Sequence, residues 1–229
     1  MLSAIAIVPS APVMVAELAG AAAAETADLR DAATAAAATL GRRWIAVGAG
    51  EGDGGYGPAS RGTFAGYGVD LPVALSPAPV GGAPTPLPLC ALIAGWLRGV
   101  AVPDAEVEAH VLRADQECDA ARRHGQALRA DLDGHPEPVG VLVVADGANT
   151  LTPAAPGGHD PDSISVQAAL DDALAAGDTA ALLRLPSSIV GRVAYQALAG
   201  LAGPGPASVR ELYRGAPYGV GYFVGVWTP

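Results

Sequence analysis

The sequence predicts an α/β fold, a single domain over residues 1–229 with a mixed, largely parallel central sheet flanked by helices. Three observations carry that reading. Ser3 to Val8 and Val139 to Ala145 are apolar strands, and the second is apolar on both faces, as a strand buried inside a parallel sheet must be. Each runs straight into a small polar loop, Pro9-Ser10-Ala11-Pro12 and Asp146-Gly147-Ala148-Asn149-Thr150. An alanine-rich stretch then separates the first strand from another β-forming run, a β-α-β order that implies a parallel unit.

Element by element, Val13 to Leu40 is the first helix, with a break expected near Gly20. Arg43 to Val47 is a short strand because Trp44, Ile45 and Val47 favour the pleated conformation. Ala49 to Pro88 is dense in glycine and proline, so it predicts a long irregular connector, placed after a strand where a lid over a site would sit. Leu89 to Arg98 is an apolar helix carrying Cys90 and Trp96, and Glu106 to Leu112 alternates like a half-exposed strand. Asp115 to Leu132 returns to helix. Asp160 precedes Pro161 as a helix-capping pair, and the helix that follows ends at Gly177. Asp178 caps a further short helix, Pro186-Ser187-Ser188 opens another that stops at Gly203, and Ser208 to Tyr213 with Val220 to Trp227 form the last two strands.

Composition narrows the function. A formal net charge of −10 and a pI near 4.6 disfavour nucleic acid, since nothing concentrates positive charge. All thirteen basic residues are arginine, which removes lysine Schiff-base chemistry and the phosphate-loop lysine. Cys90 and Cys118 are too few for a disulfide framework, and Pro9 and Pro12 interrupt the N-terminal apolar run before it could span a membrane. These features fit a soluble, cytoplasmic protein.

The polar residues give a short set of candidates. Gly50 to Gly55 matches the letters of a dinucleotide loop, but Glu51 and Asp53 would repel a pyrophosphate and no helix can start after them, so a plain flexible loop is expected. Glu106, Glu108 and His110 share one strand face and could in principle hold a divalent cation, although a solvated stripe is the simpler account. His124 and His135 read as surface residues. His159, in Gly157-Gly158-His159-Asp160, could fold back toward the Asp146 loop; Ser10, His159 and Asp146 would then be the members of a hydrolase triad, though no nucleophile elbow surrounds Ser10. The glycines at 219, 221 and 225 suggest a close packing contact. The strand ends predict a pocket of Ser10, the Gly50 to Tyr67 loop, Asp53, Asp146, Asn149, Thr150 and His159, with Ser10, Asp146 and Asn149 close together.

The order of motifs resembles the catalytic component of class III extradiol ring-cleavage dioxygenases, the LigB-type family whose fold Memo-like proteins share. The matching pieces are Ala4-Ile-Ala-Ile-Val-Pro-Ser-Ala-Pro12, Val141-Leu-Val-Val-Ala-Asp-Gly-Ala-Asn149 and Gly191-Arg-Val-Ala-Tyr-Gln-Ala-Leu-Ala-Gly200. The run Pro-Leu-Cys-Ala-Leu-Ile-Ala-Gly-Trp-Leu at 88 to 97 and the ending Ala216-Pro-Tyr-Gly-Val-Gly-Tyr-Phe-Val224 are similar to a small actinobacterial subgroup of LigB-like, extradiol dioxygenase-like proteins.

The resemblance implies Fe(II) held by two histidines and a carboxylate, with open positions for catechol and dioxygen. This chain has Ser10 at the position of the first histidine. No histidine occurs between residues 48 and 88, where the second belongs. Asn149 or Thr150 stands in place of the catalytic base histidine, and Val190-Gly191 in place of the third ligand. The expectation is therefore a pseudoenzyme or diverged oxidoreductase relative with no cofactor and a retained pocket for a small polar or aromatic molecule. The competing expectations are a metal site rebuilt from His159, Asp146, Asp53 or Glu51, and a structural or partner-binding role. A homodimer or higher homo-oligomer is expected, and under the last reading the glycine-lined C-terminal strands and apolar helices form a dimer or heteromer surface.

Overall fold

A computed structural model describes residues 1–78 and 84–229. It is an α/β fold with a seven-stranded, mixed and largely parallel sheet flanked by helices on both faces. Four strands form the parallel centre: β1 (Leu2–Val8), β2 (Arg43–Gly50), β6 (Glu106–Arg113) and β7 (Val139–Val144). The remaining members of this sheet are β3 (Gly54–Tyr56), β8 (Ser208–Gly215) and β9 (Tyr222–Thr228). Their order is β3-β6-β2-β7-β1-β9-β8, with β3, β9 and β8 each pairing antiparallel.

The chain climbs from β1 past β7 to β2 and on to β6, then doubles back to β7. On the outward path it uses α2 (Ala27–Ala37) and α3 (Leu89–Ala101), which pack on one face with Ala6, Trp44 and Val107. On the return it uses α4 (Cys118–Asp133), on the other face with Ile7, Val47 and Val141. All three crossovers thus have one hand, as parallel units require. That second face also carries α5 (Ser163–Ala176), α6 (Thr179–Leu182) and α7 (Arg192–Ala202). Because β1 and β2 send their loops to one face and β7 to the other, the crevice between those loops opens at the carboxyl ends of adjacent strands.

The expected helix over Val13 to Leu40 is broken as its sequence suggests. α1 (Ala16–Ala19) stops at Gly20, whose φ of 55° no alanine would adopt readily, and α2 restarts after a turn of 3₁₀ helix. Asp178 caps α6 through the Ala181 N–H at 2.9 Å, and Gly177 and Gly203 end α5 and α7 with positive φ. Asp160 acts one turn ahead of α5, accepting from the Asp162 N–H at 3.1 Å, so the helix begins at Ser163.

The connector from Ala49 to Pro88 departs from expectation. It contains β3 on the edge of the main sheet, and a separate hairpin of β4 (Arg61–Thr63) and β5 (Pro72–Ala74). Phe64, Leu75 and Leu87 anchor the segment in the core, so its described part is a folded layer over α3 rather than a loose lid. The Gly50 to Gly55 run, expected as a plain flexible loop, is likewise part strand, since Gly54 and Gly55 pair with Val111 and His110. Glycine-rich strands escape sequence reading because they lack the β-branched side chains that signal a strand. Residues 79–83 of the expected lid lie outside the described residues.

Candidate functional site

The carboxyl ends of β1 and β7 meet as the sequence requires. Ala145 donates its N–H to the Val8 carbonyl at 2.9 Å, and two residues later in the first loop the Ser10 N–H donates to Oδ1 of Asp146 at 2.8 Å. The loop before α7 closes the same spot, because the Gly191 N–H donates to the Asp146 carbonyl at 2.8 Å. Gly191 is there for space: a Cβ would press on Ala145 and on the Asp146 backbone. Ser10, Asp146 and Gly191 therefore form one cluster drawn from three separate segments.

Asp146 is the electrostatically unusual member. Burial pushes its carboxyl up to about 7, against a smaller opposing pull from the Ser10 N–H. Tyr195, buried on α7, donates its hydroxyl to the Ala145 carbonyl at 3.0 Å, and burial followed by the Asp146 charge holds its phenol protonated. Tyr222 is raised for the same two reasons. Around neutral pH the cluster exchanges a proton only at Asp146.

Beside it, the end of β7 is packed shut. Gln167 of α5 accepts the Ala148 N–H at 2.8 Å and donates Nε2–H to Asp171 at 2.8 Å, while its amide presses against Gly147 and Gly221. The expected close packing of the late glycines is met in three different ways: Gly221, just before β9, lies against Gln167 of α5, Gly219 against Thr152 and Ala155, and Gly225 against Phe223 and the Arg210 carbonyl of its own sheet. Burial raises Asp171 to about 6. This buried Gln167–Asp171 pair has no signature in the sequence beyond an i,i+4 spacing inside an apolar helix.

The other sequence candidates disperse. Asn149 accepts the Gly157 N–H through its carbonyl at 2.9 Å, and Thr150 Oγ1 lies 2.5 Å from Ser163 Oγ, so both brace the loop before α5 rather than face Ser10. His159 is exposed on that loop, and among the described residues no hydrogen bond joins it to Ser10 or Asp146, so no triad forms. Asp53 accepts the Arg113 N–H at 2.8 Å, at the far end of β6.

An open cavity of about 450 Å³ lies at the end of β2. Ala49 to Asp53, Tyr56, Tyr67 and Pro86 to Leu89 line it; Ser10, Asp146, Asn149, Thr150 and His159 do not. Cys90, one residue beyond this lining, is pushed by burial to about 11 and stays a thiol.

The acidic stripe on β6 is partly rebuilt by its neighbours. Glu108 Oε1 lies 3.0 Å from His110 Nε2, and His110 Nδ1 lies 3.4 Å from His124 Nε2, so His124 is half-buried against a second imidazole and not a plain surface residue. Among the described residues, no three or more His, Cys, Asp or Glu side chains gather in a way that could hold a metal ion. The ferrous iron implied by the resemblance does not fit the residues at its positions. Ser10 offers only a hydroxyl, a poor ligand for ferrous iron, Gly191 has no side chain, and one carboxylate and one hydroxyl are not a two-histidine facial set.

No protein-family model matches the chain, and no curated protein matches it. Among solved structures it is similar to an uncharacterized protein, JW3007, from Escherichia coli K12. The two agree with a TM-score of 0.58 over 98% of this chain and 99% of that one, at 11% identity. A likeness at that identity speaks for the fold alone.

Proposed function

We propose that this chain is a diverged relative of the LigB-type extradiol dioxygenases that binds a small polar or aromatic molecule at its strand ends without cleaving a ring. The observation that carries the reading is the convergence of residues 10 and 191 on Asp146. Two positions that the resemblance assigns to iron ligands meet at this one residue, Ser10 at its carboxylate and Gly191 at its backbone carbonyl, yet they hold a serine and a glycine. The ligand's place is the cavity at the end of β2, since the end of β7 is filled by Gln167. Tyr56 and Tyr67 offer aromatic surface there, and Glu51 and Asp53 offer acceptors for hydroxyl groups. Among the described residues no helix is long and apolar enough to cross a membrane.

Catechol is the probe that tests this. Calorimetry is expected to show it binding the native protein, with Tyr67→Ala and Tyr56→Ala each weakening binding by about tenfold, and no yellow ring-opened product forming with added ferrous iron and air. Ser10→His is expected to remain inactive, because a single imidazole makes neither a facial triad nor a base. Ring opening by the native chain, or catechol binding that is absent or indifferent to both tyrosines, overturns the proposal.

A further inference from the structure

A second cavity, about 630 Å³, lies away from the strand ends, between α1, the β4–β5 hairpin and the outer side of α3. Its volume is in the range of sites that enclose small organic ligands. Trp96, Val73, Leu71 and Val100 supply apolar wall, and Gly95 and Gly99 leave the α3 side without bulk.

Two arginines line this space, in different circumstances. Arg98 donates Nε–H to the Ala74 carbonyl at 2.9 Å and a second N–H to the Pro103 carbonyl, tying the hairpin to the end of α3. Arg61 has a fixed backbone, paired with Ala74 and accepting the Thr85 N–H at 2.8 Å, but among the described residues its buried Nε has no hydrogen-bond partner. Among the described residues it has no ion-pair partner either. Residues 79–83 contain no acidic side chain that could supply one. A buried cationic donor without an acceptor is costly, and a planar carboxylate satisfies a guanidinium with two parallel hydrogen bonds.

The acidic residues of the cavity set the ligand's charge. Asp70 is engaged, accepting the Thr63 hydroxyl at 2.6 Å, and Glu17 stands exposed at the rim. Two carboxylates beside two guanidiniums disfavour a multiply charged anion such as phosphate. We infer that this cavity binds a small organic monoanion, its carboxylate on the Arg61 guanidinium and its flat apolar body against Trp96.

The test uses benzoate, its neutral isostere benzamide and inorganic phosphate against the full chain, read by calorimetry and tryptophan fluorescence. Benzoate is expected to bind at least about tenfold more tightly than either comparison probe. Arg61→Gln should remove at least that factor, and Glu17→Gln should strengthen benzoate a few-fold by removing rim repulsion. Thermal melting checks that Arg61→Gln is folded. Tyr67→Ala, in the other cavity, should leave benzoate binding unchanged, which separates this site from the catechol site. Absent benzoate binding, benzamide or phosphate binding as tightly as benzoate, or no weakening in Arg61→Gln with no response to Glu17→Gln, overturns the inference.

Discussion

Asp146 is the residue whose environment most alters its chemistry, and the consequence is a pH-dependent stability of unusual sign. Its carboxyl titrates near 7 in the folded chain against 3.8 ordinarily, so the folded protein holds an extra proton between those values. Stability from this group is fully present below the ordinary carboxylate value and is lost as pH rises through about 7. Asp171, raised to about 6, acts in the same direction over a narrower window. Each unit of separation is worth about 1.4 kcal/mol at most, so a decline of a few kcal/mol between acid and neutral pH is expected. Asp146→Asn keeps an oxygen acceptor for the Ser10 N–H but cannot ionise. Urea denaturation should show the variant more stable than the native chain at pH 8, with a flatter profile between pH 4 and 7. Parallel profiles for the two proteins would remove Asp146 as the cause.

Among the elements, the α4–α7 crossing is the most sterically exacting contact. Gly125 of α4 faces the backbone of Ala197 and Leu201, and Gly200 of α7 faces the backbone of Arg122. A Cβ at either place would overlap a carbonyl of the other helix, and backbone cannot rotate away as a flexible side chain can. Gly125→Ala and Gly200→Ala should therefore destabilise by about 1–3 kcal/mol each despite alanine's better helix propensity. Because both relieve their strain by the same separation of helices, the double variant should lose less than the sum. Denaturant midpoints check this, and a stabilising Gly125→Ala would show that the helices can part without cost.

For the molecule as a whole, the segment between β2 and α3 decides whether the strand ends are covered by something loose or something built. β3 pairs with β6 over Gly54 to Tyr56, and β4 pairs with β5 while Phe64 and Leu75 sit fully in the core. Hydrogen exchange should accordingly protect the amides of Phe64 and Leu75, bonded to the Leu71 and Ser60 carbonyls, well above an exposed turn amide such as that of Ala59. Uniformly fast exchange across 54 to 75 would return the segment to the status of a mobile lid.

By itself the sequence determined the framework: the apolar strands read over residues 3–8 and 139–145 and found over 2–8 and 139–144, the break at Gly20, the caps at Asp178, Gly177 and Gly203, and the meeting of Ser10 with Asp146. These follow from local rules of periodicity, φ sign and parallel-strand geometry, which act over a few residues or through one crossover. It could not show the strands hidden in glycine between 54 and 74, because glycine carries no propensity signal and those strands exist only through their partners. Nor could it show that Asn149, Thr150 and His159 turn away from Ser10, that His124 meets His110, or that among the described residues the Arg61 Nε is left without a partner in the cavity wall it shares with Trp96. Tertiary structure decided these, because a side chain's partner and its burial depend on segments tens of residues away, and so does the shift of Asp146 toward neutrality.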